Sequence, residues 1–352
     1  MPPRTGLNVP IITALDETGE IIEEDQRRVI RYVVQRGHGA DSVFISGTTG
    51  EFNRITNDQR RRLLEIGVEE VRSINAQLPD GNLPVEAWAG VTASTKAETI
   101  QNLDLAAQLK ADMAVIAPLA IGDLAPYEIV RFFERDVAQI VGSDEPLPIG
   151  LYDNAEIAAA PDVMANLPVA CIEELSRLPF VVCLKASTTR EVLQSYMNTF
   201  AADDGAERFG VYVGNAPLIF EMDEIQRGAD IEPHRVGASG VVSGTANLFP
   251  REWQGAWRAV VAHEAELCAA YRSAFADFED LTFFGDGRRR ASKLIAGIKQ
   301  GMYSRGIISS PSVARGTPML TPEEAEQLTD GLARVTDELR NKVHPQFLSV
   351  YP

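Results

Sequence analysis

The sequence predicts an α/β fold, a closed (β/α)8 barrel of the TIM type carrying a C-terminal helical extension. Three observations lead there. Short apolar tracts with β-branched residues alternate eight times with tracts of helical periodicity over residues 1–264. Eight such units in about 250 residues suit a closed barrel better than an open, doubly wound sheet. Neither a GxGxxG nor a GxxxxGKS/T fingerprint favours the open alternative. Residues 265–352 show helical periodicity only, as expected of a tail packed on the barrel.

Taken in order, Asn8–Leu15 reads as the first strand, Asp16–Gly19 as a turn, and Glu23–Gln35 as a helix with Val29, Ile30, Val33 and Val34 on one face. Asp41–Ser46 is the second strand, followed by a loop over Gly47–Arg54 and a helix over Thr56–Arg72. Strands over Pro84–Val91 and Met113–Ala117 precede helices over Lys96–Lys110 and Pro126–Ile140. Pro148–Asp153 leads to a helical tract over Pro161–Leu178, and Val181–Ala186 to a helix over Thr189–Phe200. The last two units pair Gly210–Gly214 with Pro217–Arg227 and Gly237–Ser243 with Pro250–Ala262. Helices are expected beyond the barrel over Glu266–Phe278, Arg290–Tyr303 and, after a Pro311–Pro318 loop, Pro322–Lys342.

Composition excludes several classes of function. A net charge of −17 and an isoelectric point near 4.8 argue against a nucleic-acid surface, which needs clustered Lys and Arg. The compact basic run Arg288–Arg290 reads as a charged helix turn. Cys171, Cys183 and Cys268 are odd in number and far apart, which excludes a disulfide framework and CxxC-type metal or redox sites. The start lacks the apolar region of a signal peptide and no window is apolar enough to span a membrane, so a cytoplasmic protein without membrane partners is expected. His38, His234, His263 and His344 are scattered without ligand spacing, HExxH is absent, and no metal is expected. Nor is there a GxSxG elbow for serine hydrolysis.

In a barrel, chemistry gathers at the C-terminal ends of the strands. Lys185 stands there on the sixth strand, where alternation puts it on the inner face with Val181 and Cys183. A free lysine, with pKa about 10.4, is a neutral amine in only about one molecule in a few thousand at pH 7, and burial among apolar neighbours raises that fraction. From the strand alone, three states stay open: a paired ammonium, an ammonium reaching solvent, or a nucleophilic amine. Tyr152 ends the neighbouring fifth strand, where a phenol shuttles protons or simply lines the barrel. Gly47-Thr48-Thr49-Gly50-Glu51 follows the second strand and reads as a tight loop able to converge amides and hydroxyls on a carboxylate, or as a plain turn. Gly237–Asn247 is a second glycine-rich edge.

Together, Gly47–Glu51, Tyr152 and Leu184-Lys185-Ala186-Ser187-Thr188 resemble the dihydrodipicolinate synthase and N-acetylneuraminate lyase superfamily of pyruvate-type class I aldolases. Val9–Thr13 and Gly240–Asn247 are similar to its first and eighth strands, and Gly306–Leu320 to its C-terminal segment. The resemblance implies that Lys185 forms an imine with a 2-oxo acid, that Tyr152 transfers protons, and that Thr48 relays to Tyr152. It places the 2-oxo acid carboxylate on Thr48, Thr49 and the backbone from Gly47, with Gly214, Val242 and Ser243 lining the pocket. It implies no cofactor, a small-molecule aldehyde or sugar acid as second substrate, and a homo-oligomer, either dimer or tetramer.

The chain also departs from the pattern. Where the lysine-pathway synthase carries an arginine five residues after its tyrosine, Ile157 stands here, and Leu119 and Ala120 follow Pro118 where its interface tyrosine is expected. The lysine-biosynthetic reaction is therefore not expected. Tyr152-Asp153-Asn154-Ala155-Glu156 instead partly resembles the aryl hydratase-aldolase branch, which would turn Asn154 toward substrate. A sugar-acid dehydratase and a catalytically lapsed barrel that binds a small carboxylate are the remaining alternatives.

Overall fold

The computed structural model describes residues 4–142, 146–201, 209–227, 237–285 and 291–351. The Arg288–Arg290 run and His234 lie outside them. Eight parallel strands close into a barrel in chain order: β1 (Gly6–Pro10), β2 (Ser42–Ile45), β3 (Glu86–Gly90), β4 (Met113–Ile116), β5 (Ile149–Asn154), β6 (Val181–Ser187), β7 (Gly210–Val213) and β8 (Gly240–Val242). Pairing of Gly6 with Gly240 and of Asn8 with Val242 completes the ring. The predicted barrel is the observed one.

Around it run α1 (Glu23–Val34), α2 (Asn57–Asn75), α3 (Lys96–Gln108), α4 (Ile129–Phe132) continuing through a π-helical turn (Phe133–Val137) into α5 (Ala138–Val141), α6 (Val169–Ser176), α7 (Arg190–Ala201), α8 (Met222–Arg227) and α9 (Pro250–Val261). The C-terminal segment adds α10 (Ala265–Leu281), a hairpin of β9 (Phe283–Phe284) and β10 (Ala291–Ser292), α11 (Leu294–Ser304) and α12 (Pro322–Lys342). Val43 and Ile45 on β2 and Leu184 and Ala186 on β6 face the helix layer. Phe44, Trp88, Tyr152, Cys183, Tyr212 and Val242 fill the barrel interior. This division is the period-2 alternation of strands buried on both faces.

Several expected boundaries move, each for a visible reason. The first strand stops at Pro10 instead of Leu15. The Asn247 side chain accepts from the Ile12 amide and donates to the Pro10 carbonyl, and the Gln26 side chain bonds Ala14 N and Ile12 O in the same way. The chain leaves the sheet once side chains satisfy its backbone. The helix expected from Pro161 forms only at Val169, because the Asp153 carboxylate takes Leu167 N and Asn166 Nδ2 at 3.0 and 2.9 Å and holds the preceding stretch irregular. The helix expected from Arg290 begins at Leu294, after the β9–β10 hairpin.

Candidate active site

Lys185 lies in register between Tyr152 on β5 and Tyr212 on β7. Its side chain is buried, 5% exposed, with Nζ 3.6 Å from the centroid of the Tyr152 ring and 4.9 Å from that of Phe44. Among the described residues no carboxylate pairs with it. Burial pushes its pKa down, and Tyr152 opposes that shift only in part through its charge and a hydrogen bond. One expectation about this strand is corrected. Cys183 shares the interior with Lys185, but Val181 packs in the outer core and Val182 turns inward. A bulge is the cause: consecutive residues Ile149 and Gly150 face Val181 and Cys183, so Val182 is the extra residue and alternation breaks there.

The Tyr152 hydroxyl is the hub of a small network. Thr48 Oγ1 lies 2.9 Å from it and Asn154 Nδ2 donates to it at 3.0 Å. Burial pushes the phenol up, but the Lys185 charge and hydrogen bonds from Thr48, Ser187 and Asn154 outweigh it, so its pKa falls below the ordinary value. An amine pushed toward neutrality thus sits beside a phenol pushed toward ionisation. Asn154 is also bonded within the protein. Its amide nitrogen donates to Tyr152 and its oxygen accepts from Glu156 N at 2.9 Å, which leaves one N–H and one lone pair for another partner.

The loop after β2 is shaped by glycines. A side chain at Gly47 would meet the Phe44 ring at 2.7 Å, and one at Gly50 would meet the Ile11 carbonyl at 2.8 Å. The Thr48 and Gly47 carbonyls accept from the amides of Glu51 and Phe52, whereas the Thr48 and Thr49 amides have no partner among the described residues. Two unpaired amides beside two hydroxyls can receive a carboxylate. Gly214 closes the far side at the end of β7, where a Cβ would stand 2.3 Å from Ser187 Oγ. Val242 lines the interior, while the Ser243 hydroxyl is buried against Thr245 Oγ1 at 2.9 Å.

Above Thr48 and Thr49 opens a cavity of about 580 Å³, within the size range of small-molecule sites. Its wall includes Arg54, Glu156, Ile157 and Asn215 from barrel loops and Glu279, Thr282, Lys293 and Thr317 from the C-terminal segment. Phe44, Ser187 and this C-terminal wall join the site without having been among the residues expected there. Alternation from Lys185 points to Ser187, and alternation on β2 separates Phe44 from Val43 and Ile45. No local signal marks the C-terminal wall.

A family model described as "Dihydrodipicolinate synthetase family" matches residues 3–334. The chain belongs to this family. With it comes membership of the class I aldolase superfamily, as the sequence resemblance implies. Among the family's relatives, the 4-hydroxy-tetrahydrodipicolinate synthase of Methanothermobacter thermautotrophicus is 25% identical over 257 residues, covering 70% of this chain and 75% of the relative. Two solved structures share the fold. A prophage protein of the family from E. coli K12, solved in complex with pyruvate, aligns with a TM-score of 0.74 and 18% identity over 94% of this chain and 98% of its own. The sialic acid aldolase of Ruminococcus gnavus aligns with a TM-score of 0.75 and 17% identity over 96% and 99%. Among the described residues, no helix is long and apolar enough to cross a membrane.

Proposed function

We propose that the chain is a lyase that forms a Schiff base between Lys185 and a 2-oxo acid, most simply pyruvate, and makes or breaks the adjacent carbon–carbon bond. The observation that carries this reading is the buried Lys185 amine 3.6 Å from the Tyr152 ring, with the tyrosine hydroxyl held by Thr48. In cleavage, the neutral amine attacks C2 of a 4-hydroxy-2-oxo acid, the Tyr152 hydroxyl gives its proton to the departing oxygen, and water leaves, so that a protonated imine and the Tyr152 phenolate remain. Tyr152 as phenolate takes the C4 hydroxyl proton, the C3–C4 bond breaks, its electron pair moves into the imine, and an aldehyde departs. Tyr152 then returns the proton to C3 of the enamine, and water hydrolyses the imine to release the 2-oxo acid. Thr48 passes protons to Tyr152, and the Thr48 and Thr49 amides hold the carboxylate. The imine itself is the electron sink, so the reaction calls for no cofactor.

Ile157 on the cavity wall argues against the lysine-pathway reaction, since an apolar side chain cannot hold the carboxylate of that second substrate. A sugar-acid dehydratase is the second reading: Glu156, Asn215, Glu279, Thr282 and Ser292 offer hydrogen bonds to a polyhydroxylated chain. It uses the same imine and expels hydroxide, as water, in place of the aldehyde. The aryl hydratase-aldolase reading would draw on the N–H and lone pair that Asn154 keeps beyond its bonds to Tyr152 and Glu156. Intact Lys185, Tyr152 and Thr48 argue against a lapsed carboxylate-binding barrel. Residence in the cytoplasm and homo-oligomerisation belong to the same proposal, the latter checked by light scattering. The central test is borohydride reduction with pyruvate followed by peptide mass mapping. An adduct on Lys185 is expected; no adduct, or one elsewhere, overturns the mechanism. Pyruvate release from a panel of 4-hydroxy-2-oxo acids then identifies the aldehyde.

A further inference from the structure

The carboxylate loop is not held by the barrel alone. Glu51, its last residue, is fully buried and stands at φ 59°, in the left-handed region that non-glycine residues rarely occupy. One oxygen of its carboxylate receives the ammonium of Lys299 from α11, itself fully buried. The other accepts Ala314 N at 2.8 Å and Thr317 Oγ1 at 2.6 Å. Lys299 spends another proton on the Ser312 carbonyl at 2.8 Å. Glu51 is thus tied to the C-terminal segment by three bonds. On its other sides the loop is bonded to the segment after β1, where Thr13 Oγ1 donates to the Gly50 carbonyl at 2.6 Å, and packs against the stretch after β8. There Thr49 Oγ1 lies 3.0 Å from the place a Cβ on Gly244 would take.

We infer that Lys299 and Thr317, acting through Glu51, are positioning residues that hold the Thr48–Thr49 loop open for the 2-oxo acid carboxylate. The inference rests on the function proposed above. Two features separate it from plain anchoring of the C-terminal segment. The strap grips the loop at Glu51, which with Ser46 is one of two non-glycine residues of left-handed conformation between β2 and α2 and stands two positions beyond Thr49, so relaxing Glu51 re-aims the amides that meet the carboxylate. Thr317 also lines the cavity above Thr48 and Thr49, so the residue that secures the loop borders the space proposed for the substrate. A pair buried merely to join two layers requires neither placement. Nor is an ion pair the economical way to join them, since well-packed apolar residues do so without desolvating two charges.

Thr317→Val keeps the shape and removes one hydrogen bond to a charged acceptor; Lys299→Met removes the cation. The readouts are the pyruvate concentration for half-maximal borohydride-trapped adduct, the maximal adduct per chain, and the thermal midpoint. For Thr317→Val the half-saturation is expected to rise about tenfold, the size of a lost hydrogen bond to a charged group, with the maximal adduct unchanged. Lys299→Met is expected to raise it further and Lys299→Arg to restore part of the loss. Should Lys299→Met fail to fold, Thr317→Val decides. A folded Thr317→Val protein with unaltered half-saturation overturns the inference while leaving the imine mechanism standing, even if its midpoint falls. A wild-type protein that gives no pyruvate adduct overturns that mechanism and the strap's role together.

Discussion

Tyr152→Phe is the substitution that most sharply separates the roles at the barrel mouth. It removes one oxygen from a ring whose packing stays intact, with Phe44 edge-on at 6.1 Å between centroids. Its partners lose their bonds: Thr48 Oγ1 at 2.9 Å, Asn154 Nδ2 at 3.0 Å, Ser187 and Lys185. Leaving a buried polar group unpaired costs about 1–3 kcal/mol, which for a chain of this size lowers the melting temperature by a few degrees. The effect on turnover is expected to be larger, since a positioned proton-transfer group contributes about 10²–10⁴-fold. Imine formation should survive, because its nucleophile is untouched.

The substitution also has a signed effect on pH dependence. Burial depresses the Lys185 pKa and Tyr152 partly restores it, so phenylalanine removes the restoring contribution and the amine titrates at lower pH. The pH at which pyruvate trapping reaches half its maximum is therefore expected to shift downward as turnover collapses. Borohydride trapping across a pH series, with steady-state pyruvate release on the same preparations, measures both. Turnover within threefold of wild type would refute the role of Tyr152. An upward shift in the trapping midpoint would refute the electrostatic account of Lys185.

Other expectations follow from the same geometry. Lys185→Met should give no adduct yet melt no lower than wild type at pH 7. A lysine with depressed folded pKa burdens the native state while charged, and the burden lifts as pH rises through the folded pKa toward the unfolded value; any advantage of the variant should therefore fade in alkaline melts, and a loss of several degrees at pH 7 would contradict this. Gly214→Ala should weaken both stability and trapping, because the new methyl would stand 2.3 Å from Ser187 Oγ, beside Tyr152; a silent variant would show that the end of β7 has room. Native protein should resist thiol reagents at neutral pH, burial having pushed Cys183 far up and Cys171 up to about 11; rapid labelling of Cys183 measured by mass shift would count against the closed barrel interior.

How much of this was legible in the sequence depends on the range of the interactions. The barrel was legible because each unit declares itself locally, through a run buried on both faces followed by an amphipathic helix. The meeting of Tyr152 and Lys185 followed from strand order and the strand-end rule, without any long-range information. What failed was whatever a distant side chain decides. Nothing near Ile12 announces that Asn247, 235 residues on, takes its amide and draws the chain out of the sheet. Nothing in Gly47–Glu51 announces that its glutamate belongs to Lys299, 248 residues away. The bulge at Val182 escaped for another reason: a valine repeat looks the same whether or not one copy is supernumerary, and only the partner strand's register tells them apart.

The lysine itself shows why sequence alone left its state open. A strand-end lysine is paired, solvated or neutral according to what surrounds Nζ, and those neighbours come from β2 and β5 as well as its own strand. The structure supplies two aromatic faces and a phenol in place of a carboxylate. Aromatic faces attract a cation by about 2 kcal/mol or so when desolvated, much less than a buried carboxylate provides, so they steady the charged form without securing it. A carboxylate in their place would hold the amine protonated and disarm it. An aliphatic shell would leave it neutral but without a proton carrier at the same atom's reach. Under the proposed function Tyr152 would meet both needs, because the group that tempers the desolvation of Lys185 would also be the one to move the proton of imine formation.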